Sequence, residues 1–577
     1  MYIWLRSIFG SLGEIRKYFT VRCLMMLPKV MLQLMAGYLV GRIASVIIEQ
    51  ALGELPRLLC VSLAVALGQA AVAWGAKMLK TIVADGAASR LRVRTMEALY
   101  RCDPRALEKL RSGDLLTRMQ SSVEVTAQAF GELWPEIFEH LLEFGIIGGY
   151  LFSINAGLTL LLLAFYPFII WLQAKITLPL EEKQAQMMRA QGELGSLQQS
   201  MLVQRENVRI FGIENFMYRQ YRSKLQKSRD AFLRFVKAYS FQLPLGGVMG
   251  VLPQLVLFGG GGWLVSRNRI SLPDLLSYIV LAEPFSAFLV NMFSSFQSMR
   301  SAFAGARRLM EIWELPEERT GGAAFEIDDG AALVWIRNVS FSYGAGDAQK
   351  DSEPSQRPFG LRDMNLTIGA GEKIALVGPS GAGKSTALKL LEGMYPPESG
   401  SIALAGHDYG EWSLDALRRQ IVMAPQDPVL FPGDILSNII LSPESGISQE
   451  AAMEAAELAE IGDLARENRS IGQGARELSQ GQRQRIGLAR AFARGARLML
   501  LDEPFSAIES DAAEKLQARV LACDAAVVQV THRLAGMERF DRICVMQEGR
   551  VIDAGTHAEL LARSELYRRL IDAGEAK

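Results

Sequence analysis

Apolar residues follow two different rhythms along this chain of 577 residues. Through roughly the first 300 residues they run in about six blocks, each near the ~20 residues a helix needs to cross a bilayer. The blocks fall at Leu24–Ile48, Leu58–Met78, Ile137–Phe152, Leu158–Leu178, Phe241–Val265 and Leu275–Phe296. The connections Glu49–Arg57 and Ser153–Gly157 are short, whereas the segments after the second and fourth blocks each run to about sixty residues on these boundaries. Both long segments read as charged helices. Arg90, Arg92, Arg94, Arg101, Arg105, Lys109, Arg111 and Arg118 crowd the first, and Arg205, Arg209, Arg219 and Arg222 lie in the second. Positive residues beside spans mark the cytoplasmic side, so an even number of spans puts both termini in the cytoplasm. The pattern predicts a membrane domain over residues 1–313. Its first ten residues suit an amphipathic helix on the membrane surface better than a signal peptide.

The second rhythm begins after Pro316–Gly322, which breaks the helical run Arg307–Trp313. Residues 314–332 read as a linker. From Leu333 short β-branched runs alternate with helices, the pattern of a soluble α/β domain over 333–577. The polar stretch Gly344–Pro358 has no apolar anchor and is expected to be an exposed loop without an assigned role.

Composition narrows the choice only a little. Formal net charge is zero, so nothing points to nucleic acid as a partner. The five cysteines have neither metal-ligand nor paired spacing and suggest reduced thiols.

The chemistry centres on Gly378-Pro-Ser-Gly-Ala-Gly-Lys-Ser-Thr386, set between the apolar run Lys373–Val377 and the helical run Ala387–Leu391. Strand, glycine loop and helix are the context of a phosphate-binding loop. Gly378, Ser380, Gly381, Ala382, Gly383 and Thr386 would turn backbone N–H groups and a helix N-terminus toward a polyphosphate. Lys384 would reach the β- and γ-phosphates of ATP, and the Ser385 hydroxyl would ligate Mg²⁺. The strand Leu498–Leu501 delivers Asp502 toward Mg²⁺ and Glu503 toward an attacking water. Gln426 follows another apolar run and is a candidate for Mg²⁺ or that water. His532 follows the strand Ala526–Val530 and is a candidate for the γ-phosphate. Tyr343 is either a stacking partner for adenine or an ordinary strand aromatic.

Leu478-Ser-Gln-Gly-Gln-Arg-Gln-Arg485 resembles the signature of ATP-binding cassette transporters. The order of pieces is also that of the family: aromatic loop, phosphate loop, glutamine loop, signature, Asp-Glu strand, switch histidine. Gly113-Asp-Leu-Leu-Thr-Arg118 adds to a six-span layout resembling an exporter half-transporter. The resemblance implies an α-helical six-span membrane domain fused to an α/β P-loop ATPase domain. It also implies a dimer, in which Ser479, Gly481 and Gln482 of one chain face the γ-phosphate held by the other. Coupling helices are expected near Pro104–Ser112 and Glu214–Tyr221. Three departures stand out: Gln480 replaces a glycine of the signature, Glu509 replaces an Asp, and Ser470–Ala475 lacks acidic residues. Glu503 and His532 are intact, so a hydrolytic site is expected, in a homodimer by preference and otherwise with a different half-transporter. The implied activity is ATP-driven export of a small amphiphilic drug, lipid or peptide across the cytoplasmic membrane. A siderophore-type importer on the same fold and an ATP-gated channel or regulator are the alternatives. No protease domain is expected before the first span.

Glu132, Glu136, Glu139 and Glu143 share one helix face by their spacing, with His140 beside them. Acids inside a span are costly and face a cavity or a partner. Either part of this face, with Glu136, Glu139 and Glu143, lines an inward-facing cavity that favours cationic cargo, or the first two acids lie in the cytosol and Glu139 and Glu143 pair with Lys29 or Arg42 of the first span. Glu283, before Pro284, is a second candidate, with a hydrogen bond to a neighbouring helix as its alternative.

Overall fold

The computed structural model describes residues 10, 13–108, 110, 112–327, 332–343, 360–467, 470–472, 475 and 477–575. The expected surface helix of the first ten residues (Gly10 apart) and the loop 344–358 lie outside them. The chain forms two compact units, Met1–Arg101 with Leu110–Leu315 and Cys102–Lys109 with Pro316–Lys577.

The first unit is helical. Among the described residues, four helical stretches are long and apolar enough to cross a membrane: Ile15–Ile48, Leu52–Arg101, Gly113–Ile154 and Leu272–Leu289. The fourth and fifth predicted spans lie in longer helices whose shorter apolar segments run Ala156–Leu172 and Val251–Ser266. Helix Ile15–Ile48 packs against Leu55–Arg101 and against Leu272–Trp313. Val30, Ile147, Leu158, Tyr278, Leu281 and Phe285 form one buried core. Leu59, Leu63, Leu67 and Trp74 stand exposed at near-helical spacing, a stripe suited to lipid. The third span is interrupted by wide π-type turns at Arg118–Ser122, Ala129–Leu133 and Glu143–Ile147. Pro135 follows the second of these, where a freed carbonyl is tolerated.

One expected element is displaced. The short helix of the second long segment is Arg205–Ile210, and Glu214–Tyr221 is instead the start of the long helix Glu214–Val256. Gly212 adopts φ +59° and ends the short helix; the Ile213 N–H donates back to Val208 O at 3.1 Å.

The second unit is built on two sheets. An antiparallel sheet has the order β2-β1-β4-β5, with β1 Val334–Ser342, β2 Gly360–Ile368, β3 Lys373–Val377 in the other sheet, β4 Ser399–Leu404 and β5 His407–Asp408. The larger sheet has the order β10-β9-β3-β8-β7-β6, with β6 Ile421–Ala424, β7 Leu498–Asp502, β8 Ala526–Val530, β9 Arg542–Gln547 and β10 Arg550–Gly555. Strands β6, β7, β8, β3 and β9 run parallel. Every residue of β3, β7 and β8 is buried, as parallel strands covered on both faces require. A parallel sheet gathers its ligand-binding loops at the carboxyl ends of its strands. Here those ends are Val377, Asp502 and Val530.

The expected linker is fastened to this unit. Ala323 exchanges backbone hydrogen bonds with Glu411 and Ser413, both at 2.9 Å, and Phe325 stacks on His407 at 3.7 Å. Residues 328–331 lie outside the described set. The segment Cys102–Lys109 also belongs here: the Asp103 N–H donates to Pro316 O at 2.9 Å.

Candidate functional site

The glycine loop hugs the protein too closely for side chains. Gly378 has φ +156°, and a Cβ there would lie 2.2 Å from Met546 O. Gly383 has φ +98°, and a Cβ there would lie 2.8 Å from Leu361 Cδ2. The helix Lys384–Leu391 starts immediately afterwards. The Lys384 ammonium is buried and donates to Gly378 O at 2.8 Å and Pro379 O at 3.1 Å. Burial lowers its pKa, against the opposing pull of Glu503 and Asp502.

The acids arrive from β7. Asp502 is its buried last residue, and Glu503 follows with φ +47°, a strained backbone for a non-glycine. Its N–H donates to Val530 O at 3.0 Å. Its carboxylate has a partner on each side: Gln426 Nε2 donates to Oε2 at 3.0 Å, and His532 Nε2 lies 3.0 Å from Oε1. The structure therefore joins Gln426, Glu503 and His532 in one row, with Lys384 within electrostatic range. Ser385 is exposed at the helix start. The hydroxyl of Ser385, the amide of Gln426 and the carboxylate of Asp502 offer Mg²⁺ oxygen donors, the type this hard cation takes.

Tyr343 sits over the same helix, with its hydroxyl 3.5 Å from Thr386 Oγ1 and the Lys389 ammonium 5.6 Å from its ring. Its edge-on neighbours are Phe341 at 5.1 Å and Tyr395 at 6.0 Å. These two also meet the short helix Pro104–Glu108. The Arg105 guanidinium lies 5.1 Å over Phe341 and donates to Pro396 O, and the Tyr395 hydroxyl donates to Glu108. The observed helix ends at Glu108, short of the expected Ser112.

The signature lies at the start of helix Gln480–Arg494. Ser479 caps it: its hydroxyl accepts from Gln482 N at 3.2 Å, while its own N–H donates to Gln482 Oε1 at 2.9 Å. Gln482 is thus engaged in the cap. Among the described residues no hydrogen bond joins Ser479 to the phosphate loop of its own chain. Gly481 backs onto the turn after β7, where a Cβ would lie 2.7 Å from Ala507 O.

Two residues of this network had no role in the sequence reading. Gln484 is buried and bonds to Gln426 O, Ser506 Oγ and Ala507 N. Arg533 Nη2 donates to Ile508 O at 2.9 Å. A signal for the first was available: Gln484, Leu488 and Ala491 fall at i, i+4 and i+7 of one buried helix face, where a polar side chain demands partners.

The acids of the third span are paired. Lys80 bridges Glu132 and, at 3.8 Å, Glu136; Lys29, rather than Arg42, holds Glu139. Glu143 is buried and 2.9 Å from His140 Nδ1, and the other ring nitrogen of His140 lies 3.4 Å from the Asn291 amide. The expected partner Lys29 is thus found for Glu139, whereas Glu143 meets His140 rather than Lys29 or Arg42. Glu283 is exposed, and its carbonyl accepts from Ser286.

A phosphate loop, a glutamine loop, a signature helix and an Asp-Glu strand on one parallel sheet, behind a unit of span-length helices, define an ATP-binding cassette protein with a fused membrane domain. Comparison with known proteins agrees. The family described as "ABC transporter" matches residues 361–506, and "ABC transporter transmembrane region" matches residues 23–288. The two matches together span most of the chain, and it belongs to the ABC transporters. It is 30% identical over 481 residues to the transport/processing ATP-binding protein ComA of Streptococcus pneumoniae, over 80% of this chain and 64% of that protein. It is 28% identical over 502 residues to the ATP-dependent lipid A-core flippase of Pseudomonas fluorescens, over 85% of this chain and 80% of that protein. The chain thus spans less than two thirds of the first of these relatives. Its fold matches that of a bacterial Atm1-family ABC exporter with ATP bound, with TM-score 0.81, 21% identity, and coverage of 98% of this chain and 99% of that one.

Proposed function

We propose that this chain is one half of an ATP-driven exporter that moves a small amphiphilic molecule across the cell membrane by alternating access. A second copy of the same chain completes the ATP sites. The observation that carries the reading is the row Gln426–Glu503–His532 at the end of β7. A water held against Glu503 would attack the γ-phosphorus of ATP, with its proton passing to the carboxylate and ADP leaving. Gln426 and His532 fix the carboxylate between them. The helix start at Lys384, with its ammonium, offsets the phosphate charge. Mg²⁺, when bound, neutralises charge on the transferring phosphate.

Two features support a second copy. Among the described residues the signature serine bonds within its own cap alone, as a surface meant for another chain's nucleotide would. Leu202, Val203, Ile210 and Phe211 crowd an exposed apolar tip at the far end of the second long helical segment, a patch that calls for burial. The arginines beside the spans support cytoplasmic termini. For the cargo, the relatives bear names that speak of lipid A-core and of transport with processing. The paired acids weaken the case for a cation, because Glu136, Glu139 and Glu143 already have basic partners. An amphiphile recognised mainly by its apolar part fits better.

The test is ATP hydrolysis by the purified protein in lipid, with cationic, neutral and anionic amphiphiles. Wild type should turn over and be stimulated by amphiphiles largely irrespective of charge. Glu503→Gln should bind ATP without turnover. An inactive wild type would rule out the homodimer.

A further inference from the structure

The helix that carries the signature also carries Gln484, 2% exposed. A buried amide without partners is costly, so what it bonds to is informative. Its Nε2 donates to Gln426 O at 3.1 Å and Ser506 Oγ at 2.8 Å and lies 3.5 Å from Glu503 O. Its Oε1 accepts from Ala507 N at 3.0 Å. None of these partners belongs to the apolar core. One is the backbone of the residue whose side chain holds Glu503, and the others are Glu503 itself and the turn directly after it.

We propose that Gln484 is a positioning residue for ATP hydrolysis: it sets Gln426 and Glu503 relative to each other and makes their geometry depend on where the signature helix stands. This deepens the ATPase reading above and rests on it. Two further contacts and a strained backbone support the assignment. Gly481, one turn earlier, brings the helix backbone against Ala507 O, so the helix and the turn Ser506–Ile508 meet at two points. Arg533 grips the same turn from the loop after His532. Glu503, with its strained backbone, stays in place only if its surroundings hold it, and Gln484 is part of those surroundings. A shift of the helix by about 1 Å would stretch these bonds past hydrogen-bonding range. A displacement of that size at reacting groups costs about a hundredfold in rate. Hydrolysis would then proceed only with the signature helix in register, the point at which a partner's nucleotide can act on the site across the dimer.

The experiment uses the full chain in lipid vesicles. ATP turnover is measured for wild type, Gln484→Leu, Gln484→Glu and Glu503→Gln. Nucleotide affinity is read separately by displacement of a fluorescent ATP analogue, with each Gln484 change placed in the Glu503→Gln background. Gln484→Leu keeps the shape and loses every hydrogen bond. It should lower kcat about thirtyfold while changing ATP affinity by less than about threefold. Gln484→Glu keeps an acceptor for Ala507 N but has no donor until it is protonated. Its rate relative to wild type should therefore climb as pH falls from about 8 to about 6, a response that a purely structural role would not produce. Equal kcat in wild type and Gln484→Leu overturns the inference. So does a parallel fall of kcat, affinity and thermal midpoint with a pH-independent ratio for Gln484→Glu. Wild type without turnover overturns the self-sufficient homodimer on which this inference rests, and is recognised because every variant then shows the same blank.

Discussion

Two glutamate–histidine pairs among the described residues are of nearly equal length and closer than the third, His407–Glu411 at 3.5 Å. In the cassette, His532 Nε2 lies 3.0 Å from Glu503; in the third span, His140 Nδ1 lies 2.9 Å from Glu143. Their settings are opposite. The side chains of Glu503 and His532 are 21% and 48% exposed, and the row opens to solvent at the mouth of a sheet. The side chain of Glu143 is 5% exposed and sits among span helices, with Asn291 on the far side of the imidazole. An accessible pair can take a proton from a substrate and return it. A buried pair has no substrate to serve unless helices move, and its first effect is on how those helices pack. Equal geometry therefore supports unequal roles, and environment decides between them.

Several substitutions would sharpen or break this contrast. The largest effect belongs to Glu503→Gln, which should reduce hydrolysis by about 10²–10³-fold while leaving the thermal midpoint nearly unchanged. The corresponding change in the membrane unit should act the other way round. Glu143→Leu strands the half-buried His140 and should cost about 3–5 kcal/mol, seen as a lower midpoint of thermal unfolding in lipid. Replacing both His140 and Glu143 by Leu should recover most of that loss, because an apolar pair of similar volume is often neutral. If the double variant is as unstable as the single, the pair is doing something beyond packing. Lys29→Met should destabilise by about 1–3 kcal/mol, less than Glu143→Leu, since Lys29 is partly exposed and Glu139 can rehydrate. The smallest expected effect is at Tyr395→Phe, which removes only the hydrogen bond to Glu108. Basal turnover should stay within about twofold, while stimulation by amphiphile drops measurably.

The same contrast explains what the sequence revealed. The cassette was legible because a phosphate loop needs its residues contiguous, and because strands that end in Asp-Glu or before Thr-His announce their chemistry locally. The acidic face was legible as a helix stripe, but its partners were not. Lys29 and Asn291 stand 110 and 151 residues from the groups they meet, and only packing brings them there. Gln484 lay within a recognised motif yet gained its meaning from loops 58 and 22 residues away. The misplaced short helix had a local signal that went unused: Gly212, whose left-handed backbone separates Arg205–Ile210 from the helix that follows.

The segment Cys102–Lys109 has a consequence in time. It folds with residues from Pro316 onward, so the ribosome makes the two parts of that unit about two hundred residues apart. At ~5–20 residues per second, Arg105 and Glu108 emerge about 10–60 s before Phe341 and Tyr395 exist. The whole intervening stretch of membrane helices is made in that interval. The aromatic cluster of the cassette therefore closes on a helix synthesised long before it, so that the ATP-binding unit is completed only when its earliest and its later parts meet across that interval.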